Sequence, residues 1–227
     1  MCGRFSFVVD KPKIKKALPK VKFEGDLRTS FNIAPTQQAY VITNNVSNNL
    51  QTMLWGLVPG WSKEGKPNGA LINARMETLL EKPSFREPFL YHRCLVPADS
   101  FYEWRNMGGV KKPFRIRGND EDLLFFAGIH SVWKTMLKTF SIITTEPNAE
   151  MKQIHTRMPV ILRTEAEREV WLANDTSEDT LLYMCQTPPD GLLKMYRVSE
   201  KVNSVKYDSA DLHRAVPEDL TLCRCLT

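Results

Sequence analysis

The chain begins Met1-Cys2-Gly3-Arg4-Phe5. Cys2 is small, so removal of the initiator methionine would leave a cysteine at a free N-terminus, with an amine and a thiol on adjacent carbons. Reference pKa values of roughly 7.7 to 8.0 for an α-amine and roughly 8.5 for a thiol let both react near neutral pH. Such a 1,2-aminothiol closes a ring on an aldehyde: the amine forms a Schiff base, then the thiolate attacks the imine carbon. No internal cysteine can do this. The competing reading of Cys2 is a small buried hydrophobe.

Three other groups stand in surroundings suited to chemistry. Glu103 lies in Asp99-Ser100-Phe101-Tyr102-Glu103-Trp104, on an expected strand whose two-residue alternation puts it on one face with Phe101 and Arg105. A carboxyl among aromatics has its pKa raised by desolvation, as a general acid or base near neutral pH requires. The alternative is a surface carboxylate paired with Arg105. His155 opens the loop His155-Thr156-Arg157-Met158-Pro159, where a histidine is exposed for proton transfer or simply solvated. Asn73 could bond an N-terminal amine or a substrate hydroxyl, or serve as an Asx-type turn residue. Arg4, Arg75 and Arg157 each fall within two residues of one of these groups, and guanidinium groups placed so suit a phosphate backbone. Trp61 and Phe31 are candidates for stacking on bases, with core aromatics as the alternative.

The elements that must position these residues follow from local pattern. Asp10-Lys11-Pro12 reads as a helix start, with Ile14, Ala17 and Leu18 as its apolar face. Ala39 to Thr43 and Leu50 to Val58 read as a hairpin joined by an exposed polar loop rich in asparagine. Ser62 to Gly69 reads as a mobile surface loop. Asn73 and Arg75 fall at the end of a short extended piece before a helix-like Glu77 to Leu80. Strands are expected at Arg93 to Val96, Phe101 to Arg105, Phe114 to Arg117, Leu123 to Ile129 and Phe140 to Thr145. Helix-like Pro147 to Ile154 precedes the His155 loop and a strand-like Val160 to Leu162. Thr164-Glu165-Ala166-Glu167 has capping-box spacing, Ser177 can cap a further helix, and Met195 to Val198 is strand-like. The pattern predicts one α+β domain over 1–227, built on curled, mostly antiparallel, barrel-like sheets with peripheral helices.

Composition sets the remaining bounds. The chain has 227 residues, 42% hydrophobic and 25% charged, which suits a globular protein with a sizeable core. No apolar run reaches the length of a membrane span, and the N-terminus lacks a signal-peptide pattern, so a cytoplasmic protein is expected, nucleoid-associated if bacterial. Five cysteines in scattered positions suggest reduced thiols. Cys223-Arg224-Cys225 lacks partners at a zinc spacing, so no metal or organic cofactor is implied. The net charge of +5 is compatible with nucleic acid.

Taken together, the N-terminal Met-Cys-Gly-Arg-Phe, Phe31-Asn32-Ile33-Ala34-Pro35, Trp55-Gly56-Leu57-Val58-Pro59-Gly60-Trp61, Ile72-Asn73-Ala74-Arg75-Met76-Glu77-Thr78, Pro97-Ala98-Asp99-Ser100-Phe101-Tyr102-Glu103-Trp104 and His155-Thr156-Arg157-Met158-Pro159 closely resemble the SRAP family, the SOS response-associated peptidases. The matches run in order from residue 2 to about 162, with a weaker echo at Val202-Asn203-Ser204. The resemblance implies a compact α+β fold around curled sheets. It also implies a protein that binds abasic sites in single-stranded DNA, also at junctions with duplex, and crosslinks to them. On that resemblance Cys2 is the nucleophile forming a thiazolidine with the ring-opened sugar, and Asn73 orients amine and sugar. Glu103 and His155 move protons, and Thr144 contacts the same site. Arg4, Arg75 and Arg157 hold phosphates, with Asn32 and Trp61 on the DNA path. Self-removal of Met1 is a further implication. Two rival functions fit parts of the pattern: an N-terminal-nucleophile cysteine hydrolase, and a non-covalent single-strand DNA binder.

Overall fold

The computed structural model describes residues 2–23, 26–67, 71–120 and 122–217. Met1, the end of the expected 62–69 loop, and Cys223 and Cys225 lie outside the described residues.

Asp10 caps the first helix as its sequence suggests, its carboxylate accepting from the Lys13 N–H at 2.8 Å. That helix, α1 (Lys11–Ala17), follows strand β1 (Phe5–Phe7). Then come β2 (Ser30–Ile33), β3 (Gln38–Thr43), β4 (Val46–Trp55) and β5 (Asn73–Arg75), the last running into a 3-10 turn at Met76–Thr78. A helix α2 (Pro83–Tyr91) leads to β6 (Arg93–Ala98), β7 (Ser100–Met107), β8 (Val110–Gly118), β9 (Leu124–Trp133) and β10 (Leu137–Thr145). The C-terminal part holds α3 (Ala149–Lys152), β11 (Met158–Pro159), α4 (Glu165–Leu172), α5 (Glu178–Met184), β12 (Leu193–Arg197) and 3-10 turns at Glu200–Asn203 and Ala210–His213.

The strands form two sheets. One has the order β12-β8-β7-β1-β2 and is antiparallel throughout. In the other, β10, β4, β3, β6 and β9 follow one another, and β9 returns to pair with β10, which closes a five-stranded ring. Closure removes the open edges of those strands. β10 runs parallel to β4 and to β5 and antiparallel to β9 and β11. Phe5 of β1 meets Trp55 of the ring edge-on at 5.0 Å, and Phe101 of β7 meets Phe126 at 5.7 Å. Those contacts lie in one hydrophobic cluster that includes Cys2 and draws on both sheets.

Several expectations are met locally. The Thr164 capping box is formed by both of its hydrogen bonds, and Ser177 caps α5. Others change. The polar residues 47–49 extend β4 rather than forming a loop, and Asn44 is buried, donating to Tyr91 O and to Asn174 Oδ1. Helix α2 is absent from the sequence reading, which assigns nothing between Leu80 and Arg93. Pro83 occupies the first helical turn, where no N–H is needed, and Pro88 is buried within the helix. The helix expected over Pro147 to Ile154 contracts to Ala149–Lys152. The loop expected to be mobile is packed along its described part. Trp133 Nε1 donates to Ser62 O at 2.8 Å, and a Cβ on Gly65 would lie 2.2 Å from the Trp133 ring.

One buried and one half-buried histidine give the fold a pH signature. His130 is 3% exposed, and neither ring nitrogen finds a hydrogen-bond partner among the described residues; burial pushes its pKa down to about 4. His213 packs on Phe31 and is likewise lowered to about 4, first by burial and then by Arg115. Both are neutral when folded and titrate near 6.5 when unfolded, so their contribution is complete above pH 6.5 and lost as pH falls toward 4. At pH 4.5 each is expected to lower stability by about 2 to 3 kcal/mol relative to pH 7.5. Urea denaturation of wild type and His130→Gln across that range checks this. The variant should show a pH dependence shallower by the His130 share, and an unchanged slope would refute the assignment.

Candidate functional site

The strand β1 enters the molecule between β2 and β7, so the residues just before it are carried into the interior. Cys2 is completely buried there. Burial pushes its thiol pKa well up, and the nearby Glu103 carboxylate adds to the rise. The Cys2 carbonyl accepts a 2.9 Å hydrogen bond from Asn73 Nδ2, which comes from β5. Asn73 Oδ1 is buried and has no hydrogen-bond partner among the described residues. On the adjacent strand β10, Thr144 is fully buried, and its hydroxyl is unpartnered among the same residues. In the parallel pairing Ile142 meets Asn73 and Thr144 meets Arg75, so Asn73, Thr144 and Arg75 project from one face of the sheet.

Glu103, on β7, is 2% exposed. Burial is the largest influence on its carboxyl and raises the pKa. The expected desolvation is therefore present, and the alternative of a surface carboxylate paired with Arg105 is not what the fold makes. His155 follows α3, and its Nε2 lies 3.9 Å from Glu103 Oε2. His155 Nδ1 accepts the Arg157 N–H at 3.1 Å, which leaves Nε2 to carry the proton of the neutral ring on the side of Glu103. Burial lowers the His155 pKa, so the neutral form is favoured. The two groups border an open cleft of about 530 Å³, walled by Glu103, Trp104, Asn106 and Lys111 from β7 and β8 and by His155 and Thr156 opposite. Cys2, Asn73, Glu103 and His155, spread over most of the chain, are thus brought together.

The residues expected on a DNA path are placed unevenly. Arg75 and Trp61 are exposed, Trp61 at 68%. Arg4 Nη1 donates to Asn32 Oδ1 at 2.9 Å and to Val202 O at 2.6 Å. Asn32 is 1% exposed, and its Nδ2 donates to Ser204 O and Tyr207 O. Arg157 forms a two-pronged pair with Glu77 and also donates to Thr144 O at 2.6 Å. That pairing holds the Glu77 carboxyl below its usual range. Phe31 packs against His213, and its carbonyl accepts from Tyr102 OH. The sequence reading missed Lys111, Asn106 and Thr156 as cleft residues, since a lysine at a hairpin end carries no local signal. Among the described residues no cluster of three or more His, Cys, Asp or Glu side chains is arranged to hold a metal. No helix among them is long and apolar enough to cross a membrane.

The family model for SOS response associated peptidase, SRAP, matches residues 1–205. The chain belongs to the SRAP family. Within it, the chain is 42% identical to the abasic site processing protein YoqW of Bacillus subtilis over 224 residues, covering 93% of this chain and 98% of that one. It is 31% identical to the abasic site processing protein HMCES of Gallus gallus, covering 93% of this chain and 76% of the relative. A crystal structure of a protein from Bacteroides thetaiotaomicron superposes with a TM-score of 0.84 at 29% identity, covering 95% of this chain and 100% of that chain. The mixed α/β fold with its closed ring is therefore the SRAP fold.

Proposed function

We propose that this protein processes abasic sites in single-stranded DNA, including those at junctions with duplex, by forming a covalent thiazolidine through Cys2 after Met1 is removed. The observation that carries this reading is the placement of Cys2, its carbonyl held by Asn73, beside a buried Glu103 that His155 approaches to 3.9 Å. The names of the SRAP relatives, abasic site processing proteins, support the substrate class.

The order of steps follows from the thiol. A buried thiol with a raised pKa is a poor nucleophile at rest, so the amine acts first. Amine and sugar aldehyde condense to an imine and release one water. The thiol then adds across the C=N bond: sulfur bonds to carbon, and the thiol proton ends on nitrogen. Glu103, with its raised pKa, relays that proton, and His155 serves the sugar oxygen during ring opening and reversal. Asn73 Oδ1 and the Thr144 hydroxyl, both buried and unpartnered among the described residues, receive polar groups of the sugar. Removal of Met1 is a separate, earlier step: the Cys2 thiol attacks the Met1 carbonyl, the Cys2 nitrogen leaves as the free amine, and water hydrolyses the thioester to release methionine and restore the thiol. Arg75 and Trp61 meet the DNA directly. Arg157 exchanges Glu77 for phosphate, while Arg4 and Asn32 steady the strand that carries Cys2.

The test uses protein shown by intact mass to begin at Cys2, mixed with an oligonucleotide carrying one abasic site and resolved on a denaturing gel. A shifted band is expected from wild type alone and from no reaction with Cys2→Ala or with intact DNA. Retained DNA binding by Cys2→Ala without a band is the expected companion result. A band that survives Cys2→Ala sinks the proposal, and unchanged function in that variant would point to a plain binder.

A further inference from the structure

We propose that Lys111 is a phosphate-binding residue of the cleft, gripping a phosphodiester oxygen next to the abasic sugar. The inference rests on the abasic-site reading above and adds a contact to it. Strands β7 and β8 form a hairpin whose register sets Asn106 opposite Lys111 and Met107 opposite Val110. Gly108 and Gly109, at φ 60° and 87°, make the tight turn, and the Gly109 N–H donates to Asn106 Oδ1 at 2.9 Å. The turn fixes the position of the strand bearing Lys111, which lines the same cleft as Glu103 and His155.

Charge accounting favours this residue over its neighbours. Any phosphate drawn to the cleft approaches the Glu103 carboxyl, and like charges in a sheltered site repel unless a cation lies between or beside them. Arg4 is engaged with Asn32 and Val202, and Arg157, which must first release Glu77 to reach a phosphate, is not among the residues lining this cleft. Lys112, next in the chain, is paired with Glu200 at 2.7 Å. Lys111 is exposed and makes no salt bridge among the described residues. His155 is held toward its neutral form, so among the described residues lining the cleft Lys111 supplies the fixed positive charge. An ammonium on a long stem meets a phosphate as a mobile point charge, which suits a flexible single strand.

Two measurements test this. In the first, an oligonucleotide with a tetrahydrofuran abasic analogue, which has no aldehyde, is bound by wild type, Lys111→Gln and Lys194→Gln between 50 and 200 mM salt. One lost phosphate contact on single-stranded DNA lowers the slope of log K against log salt by about 0.7, so wild type should lose about 2.6-fold more affinity than Lys111→Gln across that range. Lys194, exposed on the edge strand β12, controls for net charge and should leave the slope unchanged. In the second, intact mass follows adduct formation with 2-deoxyribose and with 2-deoxyribose 5-phosphate. Wild type should react faster with the phosphorylated sugar, and Lys111→Gln should lose that preference, read as the ratio of the two rates within each protein.

An unchanged slope in Lys111→Gln, or equal losses in both lysine variants, overturns the assignment. So does a preference for the phosphorylated sugar that Lys111→Gln leaves unchanged. If wild type forms no Cys2-dependent adduct yet the slope falls only in Lys111→Gln, the phosphate contact stands and the crosslinking reading falls.

Discussion

A chain with one alanine inserted between Met1 and Cys2 is expected to give no gel-stable adduct with an abasic site, although its thiol, Glu103 and His155 are all present. The insertion turns the Cys2 amine into an amide. An amide nitrogen shares its lone pair with the carbonyl and cannot form a Schiff base. The thiol alone can add to the aldehyde only as a reversible hemithioacetal, which does not survive denaturation. Burial and the charge of Glu103 also hold that thiol in its protonated form. Intact mass must show that the extra residue is retained, and DNA binding should persist because Arg75 and Trp61 are untouched. A stable adduct on protein whose mass includes the insertion would falsify the aminothiol mechanism and leave a simple cysteine nucleophile in its place.

Replacing Glu103 by glutamine should slow adduct formation by about 10²- to 10⁴-fold, the usual contribution of a positioned proton-transfer group. Glutamine keeps the shape of the side chain and removes its ability to give and take a proton. Because Glu103 is buried with a raised pKa, the neutral amide removes the desolvation penalty of the carboxylate, so the thermal midpoint should stay level or rise. The pair of readouts is diagnostic: a residue that only supported the fold would lose both together. The pH dependence of the single-turnover rate should also lose the limb that belongs to Glu103. A variant that crosslinks at the wild-type rate would transfer the proton relay to His155 alone, and His155→Ala would then show the full loss.

The reagents of this site are legible in the sequence, while their geometry is not. The proposed aminothiol is a property of two groups on adjacent carbons of one residue, so position 2 suffices to read it. Helix caps are equally local, which is why Asp10, Thr164 and Ser177 were recognisable from spacings of three residues or so. Alternation of apolar residues likewise marked most strands within a few positions of their ends. Helix α2 was hidden because a proline in a first turn and a breaker look alike without tertiary context.

Partnership across the fold is a different kind of fact. Arg4 bonds to the carbonyl of Val202, 198 residues away, and Asn32 closes on the same segment. The resemblance puts both on the DNA path, and a guanidinium or an amide has the same chemistry whether it meets a phosphate or a backbone carbonyl. Only the packing of the 202–207 segment against β1 and β2 decided how their hydrogen bonds are used here. The fold likewise set Glu103 beside Cys2 and 3.9 Å from His155, and excluded enough water to raise one pKa and lower the other. It also turned the β7–β8 hairpin so that an ordinary lysine lines the cleft. Sequence determines which groups are available and which short-range bonds they favour; desolvation and long-range register, which set their reactivity, exist only once distant strands have paired.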